Sequence, residues 1–413
     1  MNDFDERDLL TRELRDRSQD IGGHPLGLDH VRTRARRIQR RRNAVAGTVA
    51  AVVLAVAVPT ALSVTDATRN SAPPPADQPT PSVTETPTPG PDGTFPLTIQ
   101  DLPRGAEPGV SYVLNAEKTL VTPDGPVDLP EAYAQITPYL DGWLALNGGE
   151  NGYENVFLDA DMDVERTTLG GAGIVPNANG TRVLYSERDF NVAGRTVVVD
   201  APSEPGYERE PISWDAPPGS TVAPVGFAGE DTVAFSTEDG EVFLGVDDAD
   251  PHTVPLQGFL GISAASEANG LVAGMVSYDD LEGAGCYGVL DPAVSSTETV
   301  WDTCDYALFE FSPDGRFVIA GPPQFDGYGP SGLAVLDAAS GDPLVEFSPT
   351  AKRTVTAVSK AVWEDSDTVL ALVVEGNETR MVRAELDGRL EAVTDTRPIG
   401  MDLPLWFAER PRS

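Results

Sequence analysis

Three aspartates at alternate positions, Asp159, Asp161 and Asp163, have the residue type and spacing that begin a calcium-binding loop. Such a loop continues with a glycine at its sixth position and a bidentate glutamate at its twelfth. Here those positions hold Val164 and Gly170. The sequence therefore predicts either a looser calcium site or three solvated turn acids, and it indicates no resident cofactor.

Cys286 and Cys304 are the only cysteines, and His252 is the only histidine after residue 43. Both cysteines follow the apolar segment described below, on the predicted outer side of a membrane, where disulfides form and persist. We expect them to be bridged, which in the chain-entropy model stabilises the fold by about 3 kcal/mol. A metal pair is the alternative, although the body has no CxxC motif and no second histidine.

The sequence lacks the patterns of covalent hydrolysis and dinucleotide binding. A serine hydrolase needs a nucleophile, a histidine base and an orienting acid, and the body has one histidine and no GxSxG motif. The GxGxxG match at residues 283–288 continues as a strand and a turn, where a dinucleotide site needs a helix N-terminus. We therefore predict that the protein is not an enzyme.

Three aromatic residues, Tyr287, Phe325 and Tyr328, lie in stretches rich in glycine and proline. Aromatic side chains in such loops often contact partners. The alternative is that their rings pack inside the fold, and the sequence alone leaves both interpretations open.

Residues 44–64, AVAGTVAAVVLAVAVPTALSV, form the one long uncharged and mostly apolar run, and as a helix they would span roughly 30 Å, the thickness of a hydrocarbon core. Seven arginines lie within residues 32–42, whereas the first basic residue after the run is Arg69. The positive-inside rule therefore predicts a single-pass plasma-membrane protein with a cytoplasmic N-terminus and an extracytoplasmic body. A cleaved signal peptide is the alternative.

Charge is distributed unevenly along the chain. Of its 29 basic and 65 acidic residues, 11 and 8 lie within residues 1–43, which leaves a net charge of −39 on the remainder. An acidic body of this kind argues against nucleic acid as a partner.

Residues 1–43 form a basic head with two amphipathic segments. Leu10 and Leu14 share one stripe, and Val31, Ala35 and Ile38 share another, so both segments are predicted to be short helices. Forty-three residues cannot bury a core of any size. The head is therefore either a docking element for a cytoplasmic regulator or a signal that only orients the span.

Residues 65–96 are a linker rich in proline and threonine, with no apolar periodicity. Such a segment is predicted to be disordered and extended in a polyproline-like conformation. At about 3.1 Å per residue, the most proline-rich part, residues 71–96, reaches up to roughly 80 Å. We expect it to hold the following domain away from the membrane.

From residue 97 onward, short apolar runs alternate with turns of Gly, Asp, Asn and Pro, which is typical of β-structure. One unit shows this pattern most clearly, with predicted strands at residues 307–311, 316–320, 333–336 and 344–347. Four antiparallel strands in about 40 residues make one propeller blade.

Turn residues of a similar first hairpin recur at the spacing of propeller blades. They are Gly142, Gly180, Asp231, Gly270, Gly315 and Asp367. Trp406 follows Trp363 by one further period, so the C-terminal strand is predicted to join strands within residues 97–129 in a composite closing blade. The predicted fold class is an all-β propeller of about seven four-stranded blades over residues 97–413, with Cys286 and Cys304 on neighbouring blade edges. Two packed sandwiches are the alternative.

The segment FSPDGR at residues 311–316, with weaker relatives at residues 175–182 and 361–372, resembles the repeat of TolB-type or PD40 (WD40-like) bacterial β-propellers. The whole layout is similar to single-pass exported propeller proteins of high-GC Gram-positive bacteria. In some of those families the head resembles an anti-sigma-like element, but this head lacks the His/Cys zinc signature. The body also departs from the eukaryotic WD40 pattern, because no Gly-His precedes the Trp-Asp pairs at Trp214 and Trp301.

We predict a membrane-anchored, extracytoplasmic, non-enzymatic module, because the sequence combines a rigid repeat scaffold with a long spacer and lacks a set of catalytic residues. Its propeller face would bind or sense a protein, peptide or cell-envelope ligand. One alternative is a transmembrane signalling protein whose head binds a cytoplasmic regulator such as a sigma factor. Another is a calcium-dependent hydrolase or lyase in the propeller channel, with clustered acids or His252 at the axis.

Overall fold

The computed structural model describes residues 88–408, with gaps at residues 91–92, 150–151, 172, 190–194, 206–209, 218–219, 249, 280–282, 325–326, 350–355 and 401–402. These residues belong to the unit Ser82–Ser413. The predictions for the head, the apolar run and most of the linker lie outside the described residues. The described part contains no helix, and so none that is long and apolar enough to cross a membrane.

The described strands form seven separate sheets, which we number as blades 1–7 and give from first to fourth strand. Blade 1 contains β30 (Leu405–Phe407), β2 (Tyr112–Leu114), β3 (Thr119–Thr122) and β4 (Gly125–Asp128). Blade 2 contains β5 (Gln135–Tyr139), β6 (Gly142–Gly149), β7 (Gly152–Leu158) and β8 (Val164–Gly170). Blade 3 contains β9 (Ile174–Pro176), β10 (Arg182–Asp189), β11 (Arg195–Pro202) and β12 (Ile212–Asp215). Blade 4 contains β13 (Val222–Phe227), β14 (Thr232–Thr237), β15 (Val242–Val246) and β16 (His252–Leu256).

Blade 5 contains β17 (Gly261–Ala265), β18 (Val272–Asp279), β19 (Ala284–Leu290) and β20 (Thr299–Thr303). Blade 6 contains β21 (Ala307–Phe311), β22 (Phe317–Gly321), β23 (Leu333–Asp337) and β24 (Pro343–Pro349). Blade 7 contains β25 (Thr356–Trp363), β26 (Thr368–Glu375), β27 (Glu378–Glu385) and β28 (Leu390–Ala392). Two short strands, β1 (Phe95–Leu97) and β29 (Arg397–Pro398), are added to blades 6 and 7.

The first strands of successive blades contact one another in sequence, from β5 through β9, β13, β17, β21 and β25 to β30. These strands therefore lie around a common axis, and the fourth strands lie at the rim. The domain is a seven-bladed β-propeller, which confirms the predicted fold class. The alternative of two packed sandwiches is wrong, because the strands form seven sheets around that axis.

Blade 1 is composite, because its inner strand comes from the C-terminal end of the chain. β30 pairs antiparallel with β2, with Trp406 opposite Val113 and Phe407 opposite Tyr112. The predicted closure by the strand around Trp406 is confirmed. The pairing joins the first and last blade strands of the ring in one sheet, which protects strand edges that would otherwise remain open.

The first described strand, β1, departs from the prediction. We expected the chain near residue 97 to enter the closing blade, but β1 pairs in parallel with β24 at the rim of blade 6. Phe95 lies opposite Phe347, with the ring centroids 5.9 Å apart, and its ring covers Gly388, where a Cβ would clash. Phe95 is partly buried there and Leu97 is fully buried, which explains why the strand adds to blade 6.

The chain between β1 and β2 crosses blade 7 and is hydrogen-bonded to it. Thr98 Oγ1 donates to Glu375 at 3.0 Å, and Gly109 N donates to Glu364 at 2.6 Å. These contacts fasten blade 7 to the segment that leads into the closing blade.

The hydrophobic core lies between blades, so a strand in mid-blade is buried on both faces. β26, TVLALVVE, is buried at each of its six central positions. Val369 packs in a cluster with Ile319 of blade 6, whereas Leu370 packs with Tyr112 of blade 1. A near-continuous apolar run therefore marks this strand, rather than the alternating pattern of a sheet with one solvated face.

The two Trp-Asp pairs join neighbouring blades at the rim. Trp214 in β12 donates its Nε1–H to Val246 O of blade 4 at 3.1 Å. Trp301 in β20 donates to Ala338 O of blade 6 at 2.8 Å. The same side-chain contact thus recurs at two blade junctions.

Candidate functional site

Exposed acids concentrate at one end of the propeller. Since successive strands of a blade run antiparallel, the turns after the first and third strands lie at the same end, which we call the front face. Their exposed acids are Asp124, Asp141, Asp161, Asp163, Glu204, Glu210, Glu230, Asp231, Asp248, Asp250, Glu298, Asp314, Asp342, Asp365, Asp367 and Asp387. The sequences of these turns contain three arginines, Arg209, Arg316 and Arg389, and no lysine. The front face is therefore strongly negative.

A cavity of about 150 Å³ lies at the axis on the front face. The first strands and adjoining turns of blades 2–7 form its wall. One lining residue from each of these blades, in order, is Gln135, Val175, Val225, Glu267, Glu310 and Lys360. Polar atoms make up most of the exposed wall, so the cavity suits a polar or charged ligand better than an apolar one.

The wall is shaped by β-bulges in four consecutive inner strands. β13, β17, β21 and β25 each carry one extra residue relative to the neighbouring strand. The extra residues are Val225, Ser263, Phe309 and Ser359, of which the first three line the cavity. A bulge bends its strand and redirects a side chain, and bulges are frequent beside functional sites.

Glu267 joins blade 5 to blade 3 across the intervening blade 4. Its Oε1 accepts a hydrogen bond from Asn177 Nδ2 at 3.1 Å, and its Oε2 accepts one from Ala178 N at 2.8 Å. All three residues line the cavity. The carboxylate is therefore held in one orientation at the cavity wall.

Ser266, the residue before Glu267, is 2% exposed and also lines the cavity. Its hydroxyl has no hydrogen-bond partner among the described residues. A buried polar group without a partner is costly, and such groups call for a specific explanation.

Glu310 and Lys360 carry the other charges of the wall. Glu310 also connects blade 6 to blade 7, since its Oε1 accepts from Trp363 N at 3.4 Å and its backbone oxygen accepts from Trp363 Nε1 at 3.2 Å. With Glu267, the wall has two carboxylates and one ammonium group, so negative charge is in excess.

Hydrogen bonds link the front-face turns of neighbouring blades around the cavity. They run from Arg182 Nη1 to Glu230 O (2.7 Å), from Gly229 N to Ser266 O (3.2 Å), from Asn269 Nδ2 to Gly315 O (2.8 Å) and from Arg316 Nη2 to Asp367 Oδ1 (3.0 Å). These contacts connect blades 3–7 in sequence. The rim of the cavity is therefore braced by neighbouring turns.

The described arginines of the front-face turns are paired with acids. Burial raises the pKa of Asp314, but hydrogen bonds from the Ser312 hydroxyl and from Arg316 outweigh this effect, so that its pKa lies below the usual value. The hydrogen bond between Arg316 and Asp314 also raises the pKa of Arg316. Arg389 pairs with Glu385. Two of the three arginines are thus neutralised locally.

The predicted calcium residues lie in the turn between β7 and β8. Asp159 Oδ1 accepts backbone hydrogen bonds from Asp161 at 2.9 Å and from Asp163 at 2.8 Å. This carboxylate therefore stabilises the turn. Within the described ranges, no group of three or more His, Cys, Asp or Glu side chains is placed to hold a metal ion. The calcium site stays a prediction.

The predicted disulfide between Cys286 and Cys304 is present, with the Cα atoms 4.0 Å apart. Its location differs from the expectation of neighbouring blade edges. Cys286 lies in β19 and Cys304 follows β20 directly, so the bridge joins the third and fourth strands of blade 5. The reason is that β19 begins within the glycine-rich stretch at residues 283–288, so Cys286 lies inside a strand rather than at a blade edge.

His252 lies away from the axis. It begins β16, the fourth strand of blade 4, where it is exposed and its Nδ1 is 3.6 Å from Asp248 Oδ1. The hydrolase alternative expects either His252 or clustered acids at the axis. Of the acidic side chains in the described ranges, Glu267 and Glu310 line the cavity, and this alternative stays a prediction.

The three singled-out aromatic residues have different surroundings. Tyr287 is buried in β19 in a cluster with Leu308 of blade 6, and burial raises the pKa of its phenol. Tyr328 is half-exposed in the connection between β22 and β23. Phe325 lies outside the described residues. The packing interpretation therefore holds for Tyr287, and Tyr328 remains on the surface.

The sequence interpretation missed the cavity residues Ser266 and Glu267. A usable signal was present, because Glu267-Ala-Asn-Gly repeats the pattern of Asn177-Ala-Asn-Gly in the equivalent turn of blade 3. Aligning these two turns would have identified Glu267 and Asn177 as equivalent positions. The hydrogen bond between them depends on how the propeller arranges blades 3 and 5, so neither segment alone predicts it.

No protein-family profile and no curated protein sequence matches the chain. Among solved structures, the WD40 domain of Toxoplasma gondii coronin is similar at 12% identity and a TM-score of 0.43, covering 74% of this chain and 78% of that one. The computationally designed Ika8 protein is similar at 13% identity and a TM-score of 0.44, covering 72% and 90%. The fold assignment rests on the seven sheets themselves.

Proposed function

We propose that the protein is a membrane-anchored, extracytoplasmic binding or sensing module without catalytic activity, and that its ligand is a protein, peptide or cell-envelope component. The observation that carries the proposal is the axial cavity, which lies within a braced ring of acidic turns on a seven-bladed propeller. β-Propellers commonly serve as scaffolds on which loops and pockets recognise partners.

Support for membrane anchoring comes from the sequence. The apolar run of residues 44–64 is preceded by arginines, and the proline-rich linker separates this run from the propeller. The signalling alternative concerns residues 1–43, which lie outside the described residues, and it stays a prediction.

The proposal is tested by photo-crosslinking the full-length protein in living cells. One variant carries the crosslinker at Asp365, in the front-face turn between β25 and β26, and a matched variant carries it at Glu238, in the back-face turn between β14 and β15. We expect specific capture of one envelope protein or peptide from Asp365, and protease cleavage of the propeller in intact cells. Equal capture from both positions, or a propeller that protease reaches only after lysis, would contradict the proposal.

A further inference from the structure

We propose that the axial cavity receives a cationic side chain, the ammonium of lysine or the guanidinium of arginine, which a protein or peptide partner inserts from the front face. This inference rests on the proposed binding function and specifies the chemistry of its ligand. The cavity residues that carry it are Glu267 and Ser266.

The cavity is large enough for the end of a long side chain. Its volume of about 150 Å³ is roughly ten times the space that a single water molecule requires. The wall near the axis includes apolar residues, among them Val175, Val225 and Phe309. Such a wall suits lysine and arginine, whose methylene stems pack on apolar surface while the charged end seeks acceptors.

Glu267 supplies the charged acceptor. Each of its carboxylate oxygens receives one hydrogen bond, from Asn177 Nδ2 and from Ala178 N respectively. A carboxylate has about four acceptor positions, so each oxygen retains capacity for a further donor. The two bonds also orient the group in advance, which lowers the ordering cost of binding.

Ser266 supplies the second acceptor and an independent indication that a ligand belongs here. Its buried hydroxyl has no partner among the described residues. A ligand with several N–H donors, such as an ammonium or a guanidinium, satisfies this hydroxyl and the adjacent carboxylate together.

The surrounding charge favours a cation over an anion. The wall carries two carboxylates against the single ammonium of Lys360, and the turns that frame the cavity are those of the acidic front face. A surface of one sign steers oppositely charged ligands toward a cleft and raises their association rate. A metal ion fits less well, since the described residues provide no group of three or more ligating side chains.

The test is calorimetric titration of the full-length protein with three peptides, Ac-Gly-Arg-Gly-NH₂, Ac-Gly-Lys-Gly-NH₂ and the neutral citrulline analogue of the first. We expect saturable binding of at least one cationic peptide, weakening with salt, and about tenfold weaker binding of the citrulline peptide. The stronger of the two cationic peptides identifies whether the cavity suits lysine or arginine.

Two variants locate the site. Glu267→Gln retains an oxygen and the side-chain shape but loses the charge, and we expect about tenfold weaker binding. Ser266→Ala, which removes one acceptor, should weaken binding by about three- to tenfold. The matched control is Glu238→Gln, the same charge change on the back face, with binding within about twofold of the parent. Unchanged melting temperatures establish that the variants are folded.

Equal binding of the citrulline peptide, or unchanged binding in both Glu267→Gln and Ser266→Ala, would overturn the inference. So would a lack of saturable binding up to about 10 mM peptide, a weaker affinity than specific recognition requires. If Asp365 still captures a partner in cells after such a result, the proposed binding function stands and only the ligand chemistry fails.

Discussion

Blades 1–3 and blades 4–7 share one four-strand plan but present different inner walls to the axis. The inner strands of blades 4–7 each carry a bulge, whereas β30, β5 and β9 pair in a regular register. A bulge changes where side chains point while leaving the remainder of the sheet intact. One inserted residue per blade is therefore enough to reshape the inner wall of an otherwise repetitive scaffold.

The two halves also contain different cross-strand links. In blade 3, Arg182 in β10 and Asp200 in β11 form a buried ion pair, and Arg182 lies 4.6 Å from the ring centroid of Phe227 in blade 4. In blade 5, a disulfide joins the third strand to the end of the fourth. The ion pair stabilises the fold only while both charges are buried together, whereas the disulfide stabilises it only while it is oxidised. Mutation of one charged partner therefore tests the first link, and reduction tests the second.

Breaking the buried ion pair should destabilise the protein most. Asp200→Ala leaves the Arg182 guanidinium buried without its carboxylate partner, which should lower the free energy of unfolding by about 3–5 kcal/mol. Urea denaturation measures the loss. The double variant Arg182→Met with Asp200→Leu should lose less than the single variant, since no uncompensated charge remains. A double variant as unstable as Asp200→Ala would show that charge burial is not the cause.

Removing the disulfide should have the next largest effect. Replacing Cys286 and Cys304 together with serine releases a link across 18 residues of sequence and should cost about 3 kcal/mol. The same loss is expected when the parent protein is denatured under reducing conditions, and the Asp200→Ala variant should lose a similar amount on reduction. Unchanged stability of the parent on reduction would contradict the role of the bridge in blade 5.

The inter-blade tryptophans offer a matched pair, one in each half. Trp214→Phe and Trp301→Phe each remove one hydrogen bond to a carbonyl of the next blade, so each should cost about 1 kcal/mol or slightly more. Thermal unfolding compares the two variants directly. Equal losses indicate that the rim contact is independent of the bulges, and a loss confined to one variant would refute that independence.

Alkaline pH should produce the smallest effect per residue. Burial is the main cause that raises the pKa values of Tyr112, Tyr133 (to about 12), Tyr139 and Tyr185 in blades 1–3, and of Tyr287 and Tyr306 elsewhere. Because a raised folded-state pKa favours the protonated form, this stability is present below about pH 10 and is lost as the pH rises and unfolded tyrosines ionise.

The variant Tyr185→Phe tests this effect for one residue. Compared with the parent, its unfolding free energy should fall by about 0.8 kcal/mol less between about pH 9 and pH 10.5. Parallel profiles for the parent and Tyr185→Phe would contradict the assigned burial effect.

The blade plan was predictable because it repeats, and the closing strand was predictable because Trp406 continues the period of Trp363. The attachment of β1 was not, since a three-residue strand pairing in parallel with a distant edge has no local pattern. The bulges were not predictable either, because the spacing of the turn residues already varies by more than one residue. The disulfide could be predicted because both cysteines lie in the part of the chain that is predicted to be extracytoplasmic. Their location in one blade could not be predicted without knowing where β19 begins.

An NMR titration of the full-length protein, carrying methyl-labelled valine, directly tests the claim that the front-face cavity is the binding site. Val175 and Val225 line the cavity, whereas Val164 and Val294 are exposed elsewhere. On addition of Ac-Gly-Arg-Gly-NH₂ or its lysine counterpart, saturable shifts should appear at Val175 and Val225 and be absent at Val164 and Val294. Unshifted cavity methyl groups at saturating peptide, or equal shifts at all four positions, would contradict the claim.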